Sequence, residues 1–180
     1  MERYAAVLIP IEAAAPHHVV FIERALHLRR HAGEIAFPGG AVEADELADH
    51  ERAALREVRE EIGVDPGRIT VVGCLPAVRQ RTNGFVVTPY IGVVSGEGPF
   101  DLDPGEVAAT YRVPLEAIVA PGAVRPGIEI VGERRIETFH FDYDGMHVWG
   151  LTGTILSLFV EHYRAGSSPL RAALAERLVS

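Results

Sequence analysis

Cysteine is almost absent from this chain: Cys74 is the only one in 180 residues. A single thiol excludes an intrachain disulfide framework. Its setting, Thr70-Val71-Val72-Gly73-Cys74-Leu75, predicts a buried position on a strand. No Cys/His run with zinc spacing is present, and the eight histidines are scattered. No apolar run reaches the roughly 20 residues that a bilayer-spanning helix needs. Met1-Glu2-Arg3-Tyr4 does not open a secretory leader. These absences predict a cytoplasmic protein with no membrane partner. Positive charge is also in short supply, with 17 Lys plus Arg against 25 Asp plus Glu and a formal charge of −8. That balance argues against nonspecific binding to nucleic acid or membrane. It leaves an anionic small molecule open, because local arginines and a metal decide that.

Apolar residues are 48% of the chain, enough for an ordinary core, and the length predicts one domain over residues 1–180. Tyr4–Pro10 and His18–Glu23 read as strands separated by Ala13–Pro16. Ile35–Phe37 is a short strand stopped by a turn at Pro38-Gly39-Gly40. A helical pattern runs from Leu47 to Ile62, with Ala54, Val58 and Ile62 as its buried stripe and Leu55 beside them. Gly63 stops it. Strands return at Ile69–Cys74 and Phe85–Val94. Thr110–Val113 reads as a connector and Pro114–Ile118 as a helical turn. Ile128–Gly132, Glu137–Phe141 and His147–Trp149 read as strands, with Tyr143-Asp144-Gly145 as a hairpin turn. An amphipathic helix follows over Thr152–Tyr163, with Ile155, Leu156, Phe159 and Val160 inward. Ser167-Ser168-Pro169 breaks it before a terminal helix at Leu170–Leu178. The pattern predicts a compact α/β sandwich.

The long helix carries the densest chemical signal. Glu57, Glu60 and Glu61 stand at i, i+3 and i+4, within about 100° of arc on one helix face. Like charges at that spacing cost an isolated helix roughly 0.2–0.5 kcal/mol per pair. A divalent cation relieves the repulsion, and Mg²⁺ typically joins one or two carboxylates to substrate phosphates. Gly40, five residues, Glu46, then Arg56-Glu57-Val58, one residue, Glu60-Glu61, one residue and Gly63-Val64 resembles the signature of the Nudix hydrolases. Nine residues separate Glu46 from Arg56, where the family pattern has seven. The longer loop leaves the part of Glu46 open to Glu43 or Asp45.

A second segment lies upstream: Val20 to Ala25, with Arg24, then Arg29, Gly33 and Phe37-Pro38-Gly39-Gly40. It is similar to the signature of the coenzyme A diphosphatase branch of that family, although Ile22 replaces the usual Thr and Phe21 an aliphatic residue. Thr82–Tyr90, Glu106-Val107, Val113–Leu115 and Trp149–Thr152 look like further family landmarks.

The resemblance implies a Nudix-type α/β/α sandwich with a mixed sheet and a loop–helix–loop metal site. It implies hydrolysis of the diphosphate bond of coenzyme A, or of another nucleoside diphosphate derivative, with Mg²⁺ or Mn²⁺. Glu57, Glu60 and Glu61, with the Gly40 carbonyl, would hold the ion, and Arg56 would orient a glutamate. Glu106 would serve as base or extra ligand, with Asp101 and Asp103 as rivals. Arg24 and Arg29, beside Gly39 and Gly40, would contact phosphate, because a guanidinium fork pairs two phosphate oxygens. His27 and His31 are candidates to assist, and Tyr90 and Trp149 are candidates either to stack on adenine or to fill the core. A non-catalytic nucleotide-binding module is the rival reading, and a homodimer is left open.

Overall fold

A computed structural model describes residues 2–80, 84–96, 98–165 and 169–178. Its framework is an eight-stranded mixed sheet. At its centre, β1 (Arg3–Glu12) pairs along its whole length, in parallel, with β7 (Phe85–Val94). On the other side lie β2 (His18–Arg24) and then β3 (Ile35–Ala36), both antiparallel. β5 (Ile69–Cys74) pairs antiparallel with β7. Three further strands attach off this path: β4 (Gly39–Ala41) to β1, β6 (Val78–Arg79) to β7, and β8 (Val107–Pro114) to β2.

Alternation along β1 divides the core into two layers. Ala6 and Leu8 pack under α1 (His50–Ile62) with Ala53, Ala54, Val58 and Ile62. Ile9 and Ile11 join the opposite cluster, which includes Phe21, Phe37, Phe141 and residues of α3 (Gly150–Arg164). The sheet thus lies between helices, as the apolar periods predict. α2 (Leu115–Val119) and α4 (Pro169–Leu178) complete the helices.

A second, antiparallel sheet runs in the order β11 (Met146–Val148), β10 (Arg134–Tyr143), β9 (Arg125–Val131). Asp144 and Gly145 turn β10 into β11 with φ of 46° and 79°, the left-handed pair that a two-residue hairpin needs. α3 lies close against this sheet. A Cβ at Gly153 would stand 2.0 Å from the Phe139 carbonyl oxygen, so only glycine permits that approach.

Four local expectations are corrected. The helix begins at His50 rather than Leu47, because Ala44–Glu46 forms a 3₁₀ turn and the Asp49 carboxylate caps the Arg52 N–H at 3.4 Å. Gly39-Gly40 is not a plain turn. It is a strand laid against β1, with a Cβ at Gly39 only 2.4 Å from the Ala6 carbonyl oxygen. The connector at Thr110–Val113 belongs to an eight-residue strand whose ladder with β2 is non-local and leaves no period in the sequence. Cys74 is exposed. A register shift between Val71 and Gly73 adds a residue to the strand and turns its end outward. Thr82 and Asn83 of the Thr82–Tyr90 landmark, and Ser167-Ser168, lie outside the described residues.

Candidate active site

Glu61 lies at the edge of the buried stripe of α1, 1% exposed, and Glu57 is half-buried. The helix ends at Gly63, where φ is 69° and the N–H bonds the Arg59 carbonyl. A Cβ there would lie 2.7 Å from the Asp101 Cβ, so the glycine also lets the 101–106 loop close on the helix end. The Asp103 N–H donates to the Glu61 carbonyl at 3.0 Å and ties that loop down. As a result Glu106 reaches the helix. One carboxylate oxygen from each of Glu57, Glu61 and Glu106 lies within 4.8 Å of the others.

Glu61 is held on its other side by the glycine strand. The Gly39 N–H donates to Oε2 at 2.8 Å. Oε1 is buried and accepts no hydrogen bond among the described residues; Arg24 Nη1 is 4.0 Å away. Burial pushes the Glu61 carboxyl up to about 8, against the pull of the Gly39 N–H and Arg24 and with the repulsion of Glu57 and Glu106. Burial also raises Glu57, against the neighbouring Arg56. Gly40 presses its backbone on Glu57: a Cβ there would stand 2.3 Å from Oε1. A hard divalent cation fits this set, since it would supply the partner that the buried Oε1 lacks and cancel the like charges.

Glu60 stands apart. Its side chain is 57% exposed and accepts from Arg56 Nη1 at 2.9 Å, outside the three-carboxylate group. Arg56 is the organiser of the helix face. It donates to both oxygens of buried Glu46, at 2.9 and 3.1 Å, to Glu57 at 2.9 Å and to the Ala41 carbonyl at 3.0 Å. Glu46 is first among the groups that raise Arg56, and Arg56 in turn holds the Glu46 carboxyl below its usual range. The longer loop therefore brings Glu46 to Arg56, while Asp45 pairs with Arg52. Of the Glu106 rivals, Asp101 lies behind Gly63 and Asp103 accepts from the Gly105 N–H at 2.8 Å.

The upstream segment borders the same carboxylates. Arg24 ends β2, its Nε buried without a hydrogen-bond partner among the described residues. Its backbone N–H bonds the Glu34 carbonyl and its carbonyl accepts from Gly33, which has a φ of 69°, closing the 25–33 loop. The Ala25 N–H donates to the Glu106 carbonyl at 2.8 Å, and His27 Nε2 lies 3.1 Å from the Gly105 carbonyl oxygen. Arg29 is exposed on this loop, and no ion pair among the described residues ties it to the carboxylates. His31 pairs with Glu34 at 2.8 Å. Tyr90 packs on the Ala6, Ala53 and Ala54 cluster, and half-buried Trp149 precedes α3. Sequence reasoning missed the Gly39 N–H contact to Glu61 and the Arg24 approach to it. The one available signal was composition: all 17 basic residues are arginine, so any side-chain cation at an anion site other than histidine is a guanidinium.

A glutamate-bearing helix that follows a glycine strand and ends at a left-handed glycine, on a mixed sheet between helices, defines a class. The NUDIX domain profile matches residues 1–131, and the chain belongs to the Nudix hydrolase family. Its class of chemistry is hydrolysis of a pyrophosphate bond in a nucleoside diphosphate derivative, and Nudix enzymes generally use divalent metals such as Mg²⁺. The chain is 37% identical to the uncharacterized Nudix hydrolase NudL of Salmonella newport over 156 residues, covering 86% of this chain and 80% of NudL. Its fold is similar to a MutT/nudix family protein from Enterococcus faecalis, with a TM-score of 0.60, 15% identity and coverage of 97% of this chain and 68% of that one. It is also similar to the NUDIX domain of Shewanella oneidensis NrtR complexed with ADP ribose, with a TM-score of 0.51, 17% identity and coverage of 66% and 77%. No helix among the described residues is long and apolar enough to cross a membrane.

Proposed function

We propose that the chain hydrolyses the diphosphate bond of coenzyme A, or of its thioesters or oxidised form, to 3′,5′-ADP and 4′-phosphopantetheine. One observation carries this reading. The upstream segment that resembles the coenzyme A diphosphatase signature borders the carboxylate group, with Arg24 4.0 Å from Glu61 and Ala25 bonded to the Glu106 backbone.

Glu57 and Glu61 would hold Mg²⁺ or Mn²⁺, with the Gly40 carbonyl completing the site and Glu106 beside them. The bound ion would neutralise the diphosphate and lower the pKa of a bound water. Arg24 binds a phosphate oxygen on the β2 side and offsets the charge that develops there. Glu106, exposed on the open side, accepts a proton from the attacking water. Attack on one phosphorus releases the other phosphoryl group. Arg56 keeps Glu57 in place, and Glu60 steadies Arg56 rather than entering the site. Arg29 meets the 3′-phosphate from the exposed loop. The enzyme works in the cytoplasm as a single domain, and sedimentation would decide between monomer and homodimer.

Purified protein with Mg²⁺ should be offered coenzyme A, dephospho-coenzyme A, ADP-ribose and a diadenosine polyphosphate, with products separated by chromatography. Release of 3′,5′-ADP from coenzyme A at the highest kcat/KM is the expected result. Much faster turnover of ADP-ribose would overturn the substrate assignment and leave the hydrolase class intact. Release of no product from any of them would favour a nucleotide-binding module.

A further inference from the structure

The histidines look scattered in sequence, but the second sheet gathers two of them with a carboxylate. His140 stands on β10, His147 on β11 and Glu129 on β9. One nitrogen of each histidine and one Glu129 oxygen lie within 4.8 Å of one another. His147 Nε2 is 3.0 Å, and His140 Nδ1 3.4 Å, from the same atom, Glu129 Oε1. Ligand atoms on a tetrahedral zinc ion, with bonds of about 2.0–2.1 Å, are separated by about 3.3 Å. The two spacings bracket that value, and the longer one is poor for a hydrogen bond.

The surroundings resemble a built site. His147 Nδ1, its other nitrogen, is 2.5 Å from Asp142 Oδ1, and Asp142 is in turn paired with Arg125. A carboxylate behind a histidine fixes the ring and its tautomer for metal binding through the opposite nitrogen. The His140 ring is buried, with Nδ1 toward Glu129 and Nε2 on the side of Gly127. Gly127 makes room for that ring: a Cβ there would stand 2.3 Å from His140 Cδ2 and 2.6 Å from Nε2. His147 and Glu129 remain partly exposed, at 42% and 28%, which leaves an entry path.

We propose that Glu129, His140 and His147 form a second metal site, separate from the Glu57–Glu61–Glu106 group, for a borderline divalent ion such as Zn²⁺. Two imidazoles and one carboxylate select such ions over Mg²⁺, which prefers all-oxygen surroundings. Three protein ligands leave the fourth position to water. The ion would cross-link three adjacent strands of the second sheet.

The test is a calorimetric Zn²⁺ titration of chelator-stripped protein with Mg²⁺ in excess, which occupies the all-oxygen site. Wild type should bind one equivalent of zinc, and Co²⁺ in its place should give the visible absorption of a tetrahedral ion. The exposed ligand is the safest to remove, so His147→Ala should weaken zinc binding at least tenfold while leaving Mg²⁺-dependent hydrolysis and the melting temperature without zinc near wild type. Asp142→Asn should weaken it about 10–100-fold, the usual effect of losing a group that orients a ligand. Glu61→Gln should leave the zinc equivalent in place. Absence of the equivalent, equal affinity in wild type and His147→Ala, or its loss in Glu61→Gln would overturn the proposal and show a hydrogen-bonded cluster only.

Discussion

Arg56 and Glu46 form a two-point ion pair across the junction of loop and helix, Nε to Oε1 at 2.9 Å and Nη2 to Oε2 at 3.1 Å. The pair is two-sided and its acid is 1% exposed, so it differs from a surface salt bridge. It spans the 47–55 segment and explains how two additional loop residues leave the helix face in order.

Arg56→Ala should leave the buried Glu46 carboxylate with the Glu43 N–H at 3.0 Å and Arg52 Nε at 4.0 Å in place of its two-point ion pair. Removing one partner of a buried pair costs about 3–5 kcal/mol. Denaturant unfolding should show that loss, and Arg56→Lys should recover only part of it because an ammonium lacks the fork. Unchanged stability in Arg56→Ala would mean the pair does not order the loop.

Glu57→Gln and Glu61→Gln should each lower turnover by at least about 10²-fold and raise the Mg²⁺ concentration needed for half-maximal rate. Glu60→Gln should cost far less, since Glu60 is exposed and outside the three-carboxylate group. Equal losses in all three variants would return Glu60 to the site. Glu106→Gln should depress kcat more than it changes KM if Glu106 accepts the proton.

Without metal, stability should fall as pH rises. The folded-state pKa of Glu61, about 8, lies above the ordinary 4.5. Between those values the native state binds the proton that the unfolded state has lost. The favourable contribution is therefore complete below pH 4.5 and lost as pH rises through 8, on the order of 5 kcal/mol in all. Added Mg²⁺ requires the ionised carboxylate, so its stabilising effect should grow over the same window. Melting curves from pH 5 to 9, with and without Mg²⁺, provide the check; a metal-free melting temperature that climbs with pH across this range would contradict the sign.

Gly40→Ala should lower activity at least about tenfold by displacing Glu57, whose Oε1 would be 2.3 Å from the new Cβ. A Mg²⁺ titration separates this from unfolding: a weakened metal response with a native melting temperature is the expected outcome.

Arg24→Ala should lower kcat/KM for coenzyme A about tenfold or more, as expected for one lost charge-assisted contact of roughly 1.5–3 kcal/mol. Its loss should be similar on dephospho-coenzyme A, because Arg24 adjoins the carboxylates. Arg29→Ala, on the exposed loop, should show its loss mainly on coenzyme A if it meets the 3′-phosphate. A reversed pattern would exchange the two assignments.

The sequence by itself determined the helix and its acidic face. Helical geometry makes i, i+3 and i+4 neighbours whatever surrounds them, so Glu57, Glu60 and Glu61 were legible together, as were the stop at Gly63 and the hairpin turn at Asp144-Gly145. The same spacing could not distinguish their environments. Only the packing of α1 on β1 buries Glu61 and leaves Glu60 exposed. Tertiary structure alone brought Glu106 from a distant loop, set Arg24 against Glu61, exposed Cys74 through a bulge and joined Glu129 to His140 and His147. Those contacts arise from sheet register and loop closure between segments far apart in the chain, and neither leaves a periodic mark in the sequence.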